Sequence, residues 1–386
     1  MTSTHRYLSA LLPLVTSLGL GCSDPETDDA TGSSSSTSGS TSSGTGGAGG
    51  AIDPLEAAVK ANDWVKLTGG PMVGGGAKQD DVFFLDASTG FAASGPKFQI
   101  LKTTDGGATW SPSFSHPGTY FRAVVFLDPQ HGFAGNLGAG LAPSIDDPTL
   151  IYETKDGGGS WSPVTSITGA AAKGLCNFTA IDATHVVGVG RANGPANMLV
   201  SSDAGATWES KDLSSYFSMV IDAHFASALE GVIAGMDKAT QHCTIMRTTD
   251  AGATFAPVFT SATKGSLCWK LHFPSDKVGY AAVQDTAGGP GTFAKTVDGG
   301  ATWTELPLPP LEPATKGYGA IGVGFINEDI GWMSAEDPKL PTYRTFDGGT
   351  TWEVDPVLTS PINRFRFVDA HTAYAIGAAV WKLSLP

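Results

Sequence analysis

The sequence is short of positive charge. Its 386 residues carry 23 Lys and Arg against 37 Asp and Glu, a formal charge of −14. Nucleic-acid binding needs clustered Lys and Arg against the phosphates, so that class of partner is excluded. Arginine is scarcest. None lies between Cys22 and Trp110, and beyond that point there are only Arg122, Arg191, Arg247, Arg344, Arg364 and Arg366. Long apolar runs are lacking too. Leu8 to Leu20 is the one extended stretch, and it is too short to hold a bilayer as a stable span. The histidines show no close His-x-His or Glu-x-x-His pairing, so neither a metal site nor a cofactor is expected. Cysteine is rare, with four. Apolar content is ordinary, which leaves enough material for a large core.

The N-terminus reads as an address. Arg6, His5 and the free amine form a short basic region, and the apolar stretch ends in LGLGC at Cys22. This resembles a bacterial lipoprotein signal, with Gly19 and Leu20 swapped relative to the usual order; a plain secretory signal is the alternative. The resemblance implies cleavage after residue 21, lipidation of Cys22 and an exported, membrane-anchored protein of the cell envelope, periplasmic or at the surface. A lipoprotein carries the several acyl chains that stable anchoring needs. Residues 22–51 are rich in Ser, Thr and Gly with almost no apolar side chain, so they read as a disordered tether with a reach of roughly 30 Å. A folded domain is expected over 52–386.

What fills that domain is repetition. TTDGGATW at 103–110 returns as TKDGGGSW at 154–161, SSDAGATW at 201–208, TTDAGATF at 248–255, TVDGGATW at 296–303 and TFDGGTTW at 345–352. The aspartates are Asp105, Asp156, Asp203, Asp250, Asp298 and Asp347, spaced by 51, 47, 47, 48 and 49 residues. A period near fifty means one supersecondary unit copied along the chain. The octet chemistry is that of a turn. Asp accepts backbone N–H bonds about two residues on, Gly supplies φ > 0, and the flanking hydroxyls bond the same turn. The terminal aromatic (Trp110, Trp161, Trp208, Phe255, Trp303, Trp352) packs over the hairpin base. Six chemically equivalent turns are scaffold, since they cannot all be active sites.

Before each octet come an apolar strand, a polar turn with Asp, then Gly and an aromatic in a second strand, as in VFFLDASTGFAAS at 82–94. A third strand leads into the octet and a fourth leaves it. Four short strands per repeat make a β-propeller blade. Residues 363–386 supply three strands without an octet, and 63–68 supply a lone strand led by Trp64. Joining them completes a seventh blade and removes the exposed edges. The expected fold is all-β: a seven-bladed β-propeller of four-stranded antiparallel blades, closed by strand 63–68. Six blades is the alternative.

The octet is similar to the Asp-box, or BNR, repeat. The whole unit resembles the photosystem II stability and assembly factor family, whose fold is a seven-bladed propeller that binds membrane-protein partners without catalysis. Sialidases, xyloglucanases and sortilin-type receptors carry similar boxes. Fold does not carry function by itself, and nothing in the residues points to photosynthesis. The sialidase reading needs three arginines and a Phe/Tyr-Arg-Ile-Pro motif before the first box. Only Tyr120-Phe121-Arg122-Ala123 approaches it, one blade late and without the proline. A generic glycosidase needs two facing carboxylates. Glu230, Glu312 and Asp337 are the loop candidates, and nothing in their spacing pairs them. The expected function is a non-catalytic scaffold for a protein or other ligand; a carbohydrate-active hydrolase or a glycan-binding propeller is the alternative.

The innermost strand of each blade should begin on the face opposite the boxes. Lys173, Lys264 and Lys316, each followed by Gly, stand near those beginnings, with Arg122 and Arg364 in comparable places. Five cations are therefore expected around one channel mouth, where their field would favour an anionic or acidic partner. Tyr120, Trp269 and Tyr318 neighbour them as flat contact surfaces. Segments 135–150, 304–317 and 353–363 read as long loops on that face. Export allows oxidation, and Cys176, Cys243 and Cys268 allow one bridge among them: Cys243–Cys268, Cys176–Cys243, or none. A monomer is expected.

Overall fold

A computed structural model describes residues 53–74, 77–285, 291–310 and 318–386. The leader, Cys22 and the tether lie outside the described residues, as do Glu312 and Lys316. Seven sheets form the ring, each starting with its innermost strand: Asp81–Phe84, Phe121–Phe126, Asn177–Ala180, Phe217–Phe225, Ser266–His272, Ala320–Phe325 and Ile362–Phe367. These inner strands touch one another in order, and the seventh touches the first.

The ring closes through the N-terminal segment. Val65–Lys66 is the outer strand of the last blade, with Val65 opposite Lys382 and Lys66 opposite Trp381. Two residues make a weak ladder, so side chains supply the rest. Trp64 is 3% exposed. Its ring meets Trp332 edge-on at 5.3 Å and Phe365 at 5.9 Å. A short helix, α1 (Pro54–Ala61), precedes it, with Asp53 capping the Leu55 N–H and Pro54 in the first turn. Its Val59 and Leu55 pack into the same apolar cluster as Trp64, Trp332, Ile362 and Phe365.

Two blades depart from the expected pattern. The third has a fifth strand, Ile167–Gly169, running parallel to its outer strand Trp208–Asp212. Segment 353–363, expected as a loop, is mostly the outer strand Glu353–Thr359 of blade six. Segment 304–317 begins with the strand Thr304–Pro307 and then leaves the described residues. Loop 137–150 is ordered by Asp147, which accepts from the Thr119 hydroxyl, the Thr149 N–H at 2.9 Å and the Tyr152 hydroxyl at 2.9 Å.

All six boxes join the third and fourth strands of a blade and share one geometry. Thr109 donates its N–H to Asp105 Oδ1 at 2.9 Å and its hydroxyl to Oδ2 at 2.6 Å. The Thr103 hydroxyl donates to Asp105 Oδ1 and accepts the Gly107 N–H. The carboxylate thus spans four residues rather than the two read from the sequence; the threonine before it takes the shorter bond. Each box also donates a backbone N–H to the first hairpin of its own blade, as Gly106 does to Ser88 O at 2.8 Å. The fifth box position is always glycine for a second reason besides φ. A Cβ on Gly205 would lie 2.2 Å from Phe133, and one on Gly349 2.7 Å from Phe293, aromatics of the preceding blade. The preceding position has alanine at Ala204 and Ala251, with φ of 55° and 56°. Trp208 is the buried box aromatic and meets Phe133 edge-on at 5.4 Å; Trp110, Trp161, Trp303 and Trp352 are half-buried.

These bonds make the boxes acid-sensitive. The Thr109 hydroxyl, then its N–H, hold the Asp105 carboxyl down to about 2; Asp156 and Asp250 are held to about 2 in the same way. A folded pKa below the unfolded one means the contribution is full above the unfolded value of 3.8 and is lost as pH falls through about 2. Melting temperature should fall between about pH 5 and about pH 2, and Asp105→Asn with Asp250→Asn should flatten that fall. A flat wild-type profile would contradict the box geometry.

Cys243, in the third strand of blade four, is bonded to Cys268 in the inner strand of blade five. Cys176 is a buried free thiol. The bridge spans 25 residues of sequence and constrains the unfolded chain by about 2–4 kcal/mol.

Candidate functional site at the channel mouth

Inner strands run from one face of the ring towards the boxes, so their first residues line the mouth on the opposite face. Bulges interrupt five of them. A bulge leaves one residue without a cross-strand partner and re-aims its side chain. Arg122, Trp269 and Asn363 occupy three of these positions, from blades two, five and seven. They meet in the channel. Trp269 Nε1 donates to Asn363 Oδ1 at 3.0 Å, and the Arg122 guanidinium lies 5.3 Å from the Trp269 ring centre. Asn363 Nδ2 donates to the Asp80 carbonyl at 2.7 Å, and Arg122 Nη1 pairs with Asp80 Oδ1.

The extended approach to blade one adds Lys78, whose ammonium stands 4.7 Å from the Trp269 ring centre. One indole therefore carries two cations. Burial holds the Lys78 pKa down to about 8, against the pull of Glu336, while burial pushes the Asp80 carboxyl up. Glu336 also accepts from Gln284 Nε2 at 2.6 Å. Within this group Arg122 Nε and Gln284 Oε1 are buried without a hydrogen-bond partner among the described residues, which is unusual for buried polar atoms.

Below this layer the channel is bridged. Arg364 reaches from blade seven to Asp222 Oδ2 at 3.1 Å, Asn177 Oδ1 at 2.9 Å and Asp81 Oδ1 at 3.2 Å, touching blades four, three and one. Asp222 also accepts the Leu271 N–H at 3.0 Å, and Asp81 the Val124 N–H at 3.2 Å. Lys270 lies in the same layer, 2% exposed. Burial, then neighbouring Arg364, hold its pKa down to about 7.

The expected ring of five cations is not seen among the described residues. Arg122 and Arg364 are in the channel, but both are buried and paired with carboxylates. Lys173 is exposed in the loop that leads to Asn177, where the inner strand begins. Lys264 is exposed at the end of an outermost strand, Ala256–Lys264. Lys316 is outside the described residues. The four described positions are not equivalent in register, which sequence spacing alone did not reveal. Tyr318 is no contact surface: it is 1% exposed, and its hydroxyl lies 2.9 Å and 2.7 Å from the Met333 and Pro341 carbonyls. Tyr120 is half-buried beside Trp269 in the mouth cluster. Lys78, Asp80, Asp81, Asn177, Asp222, Lys270, Asn363 and Arg366 were missed. A usable signal existed, since Asp222, Lys270, Arg364 and Arg366 are charges inside otherwise apolar strands.

The two described hydrolase candidates are separated. Glu230 stands on the box face, ion-paired to Arg247 at 3.2 Å, whereas Asp337 sits in a second-to-third-strand turn on the opposite face. They cannot flank one bond. Among the described residues no group of three His, Cys, Asp or Glu is placed to hold a metal, and no helix is long and apolar enough to cross a membrane.

No protein-family model matches the chain. Over 322 residues it is 26% identical to the photosystem II assembly lipoprotein Ycf48 of Synechococcus sp. (strain CC9902), covering 77% of this chain and 81% of that protein. A structure of YCF48 bound to D1 peptide superposes with a TM-score of 0.60 at 18% identity, covering 84% of this chain and 96% of the other. The chain is a Ycf48-like seven-bladed β-propeller. YCF48 from Cyanidioschyzon merolae gives the same TM-score, 0.60, at 17% identity, with 83% of this chain and 99% of that one covered. The GH74 xyloglucanase from Xanthomonas campestris reaches 0.59 at 14% identity, with 83% of this chain covered. The Ycf48-like ring spans only 53% of that enzyme, so the likeness is one of fold.

Proposed function

We propose that this propeller is a non-catalytic scaffold that holds a protein partner at the mouth opposite the boxes. The observation that carries this reading is the likeness to Ycf48 along nearly the whole ring, one such structure being solved with a peptide bound. The mouth supports it with the chemistry of a contact site: an indole flanked by Lys78 and Arg122. Its carboxylates are engaged by arginines or amides, which suits recognition better than acid–base work. Lipidation of Cys22 and the 22–51 tether would hold the ring near an envelope membrane, as a monomer. The relative's own description as a lipoprotein supports the anchor.

Trp269→Ala in the full-length chain should reduce partner recovery from native envelopes by about tenfold or more, as loss of a central aromatic anchor does. Lys264→Ser, at the exposed end of an outermost strand, should leave recovery unchanged. The reverse ranking, or a glycan substrate turned over by the wild-type chain, would overturn the proposal.

A further inference from the structure

On the side of the Arg364 layer towards the boxes lies a vestibule, a cavity of about 260 Å3. It lies at the ends of the inner strands, and its apolar walls are Phe83, Phe178, Phe273 and Phe365. Pockets of about 300–1,000 Å3 hold drug-sized ligands, so this one suits a molecule with a single ring or a short branched chain.

Two polar groups on the wall have capacity to spare. Arg366 donates Nε to the Val82 carbonyl at 2.8 Å and Nη2 to Asp81 at 3.3 Å, while Nη1 bonds no described residue. Its side chain is 31% exposed, and the guanidinium lies 6.0 Å from the Phe83 ring centre. His224 lies flat on Phe273, ring centres 4.1 Å apart, and its ring makes no hydrogen bond to a described residue. Burial holds the His224 pKa down to about 4, so at neutral pH the ring is uncharged and offers one N–H. His272, by contrast, is committed through Nε2 to the Phe325 carbonyl at 2.8 Å. Arg364 donates to Asp222 and Asn177 and is ion-paired with Asp81, while its buried Nε hydrogen-bonds no described residue.

We propose that this vestibule binds a small monocarboxylate with an aromatic or branched apolar body. The carboxylate takes Nη1 of Arg366 and the N–H of His224, and the body packs among the phenylalanines. A compact dianion such as phosphate offers nothing to those walls and meets Asp222 and Asp81 close by. The site faces away from the mouth assigned to the partner and does not rest on that assignment.

Benzoate titrated against the full chain, with the His224 ring signals followed by NMR, tests the site. Benzamide is the neutral isostere and inorganic phosphate the anion without a ring. Benzoate should give a saturable shift, with benzamide and phosphate each weaker by about tenfold or more. Arg366→Gln should weaken benzoate by a similar factor. If that variant does not fold, the ranking of the three probes on the wild-type chain decides alone. No saturable benzoate shift, or equal binding of benzoate and either control, would overturn the proposal.

Discussion

Replacing Arg364 by alanine should lower the free energy of unfolding by about 3–5 kcal/mol, read from denaturant midpoints. The side chain is 8% exposed, its partners Asp81 and Asp222 are each 1% exposed, and one guanidinium joins three other blades. Truncation leaves buried Asp222 without its ion-pair partner and Asp81 with Arg366 alone. The cost comes from that uncompensated charge rather than from the ion pair's net worth, because desolvation offsets much of the attraction. Arg364→Met combined with Asp222→Asn should therefore lose less than the two single changes summed, a coupling of about 0.5–3 kcal/mol. A loss below about 1 kcal/mol for Arg364→Ala would mean that the bridging layer does not organise the channel.

The second large effect is expected at the closure of the ring. Trp64→Ala should cost about 3–5 kcal/mol, the usual range for deleting a buried tryptophan. Val65 and Lys66 contribute only a two-residue ladder, so the indole wedged against Trp332 and Phe365 fixes the outer strand of blade seven. Losing it should also free the Leu67 amide, which donates to the Val380 carbonyl at 2.9 Å. Hydrogen exchange at Leu67 should accelerate more than at the inner strands. Uniform acceleration across all seven blades would show that Trp64 stabilises the fold generally and does not act as the clasp.

The ring was legible because its repeat is a local code. Thr, Asp, Gly and Thr within eight residues determine one turn through bonds spanning at most four residues, and six copies give the period. Closure was legible because Trp64 stands where the post-box aromatics stand. The mouth was not legible to the same degree. Arg122, Trp269 and Asn363 reach the channel through bulges, and a bulge changes facing without leaving a local sequence mark. Lys173 and Lys264 looked equivalent to Arg122 because each precedes or opens an apolar strand. The strands begin later than that reading assumed, leaving Lys173 in the loop before Asn177 and Lys264 at the end of an outermost strand. The Arg364 bridge joins residues 142 and 187 positions apart, a juxtaposition that only ring closure creates. What could be read was the oddity of charges within buried strands, without their partners.

Photo-crosslinking from single positions tests the recognition surface most directly. A benzophenone amino acid placed at Tyr120 or Lys78, on the mouth, should capture one and the same partner in native envelopes. The same group at Ser160 or Thr302, in exposed box turns, should capture none. Capture from the box turns with none from the mouth would contradict the account.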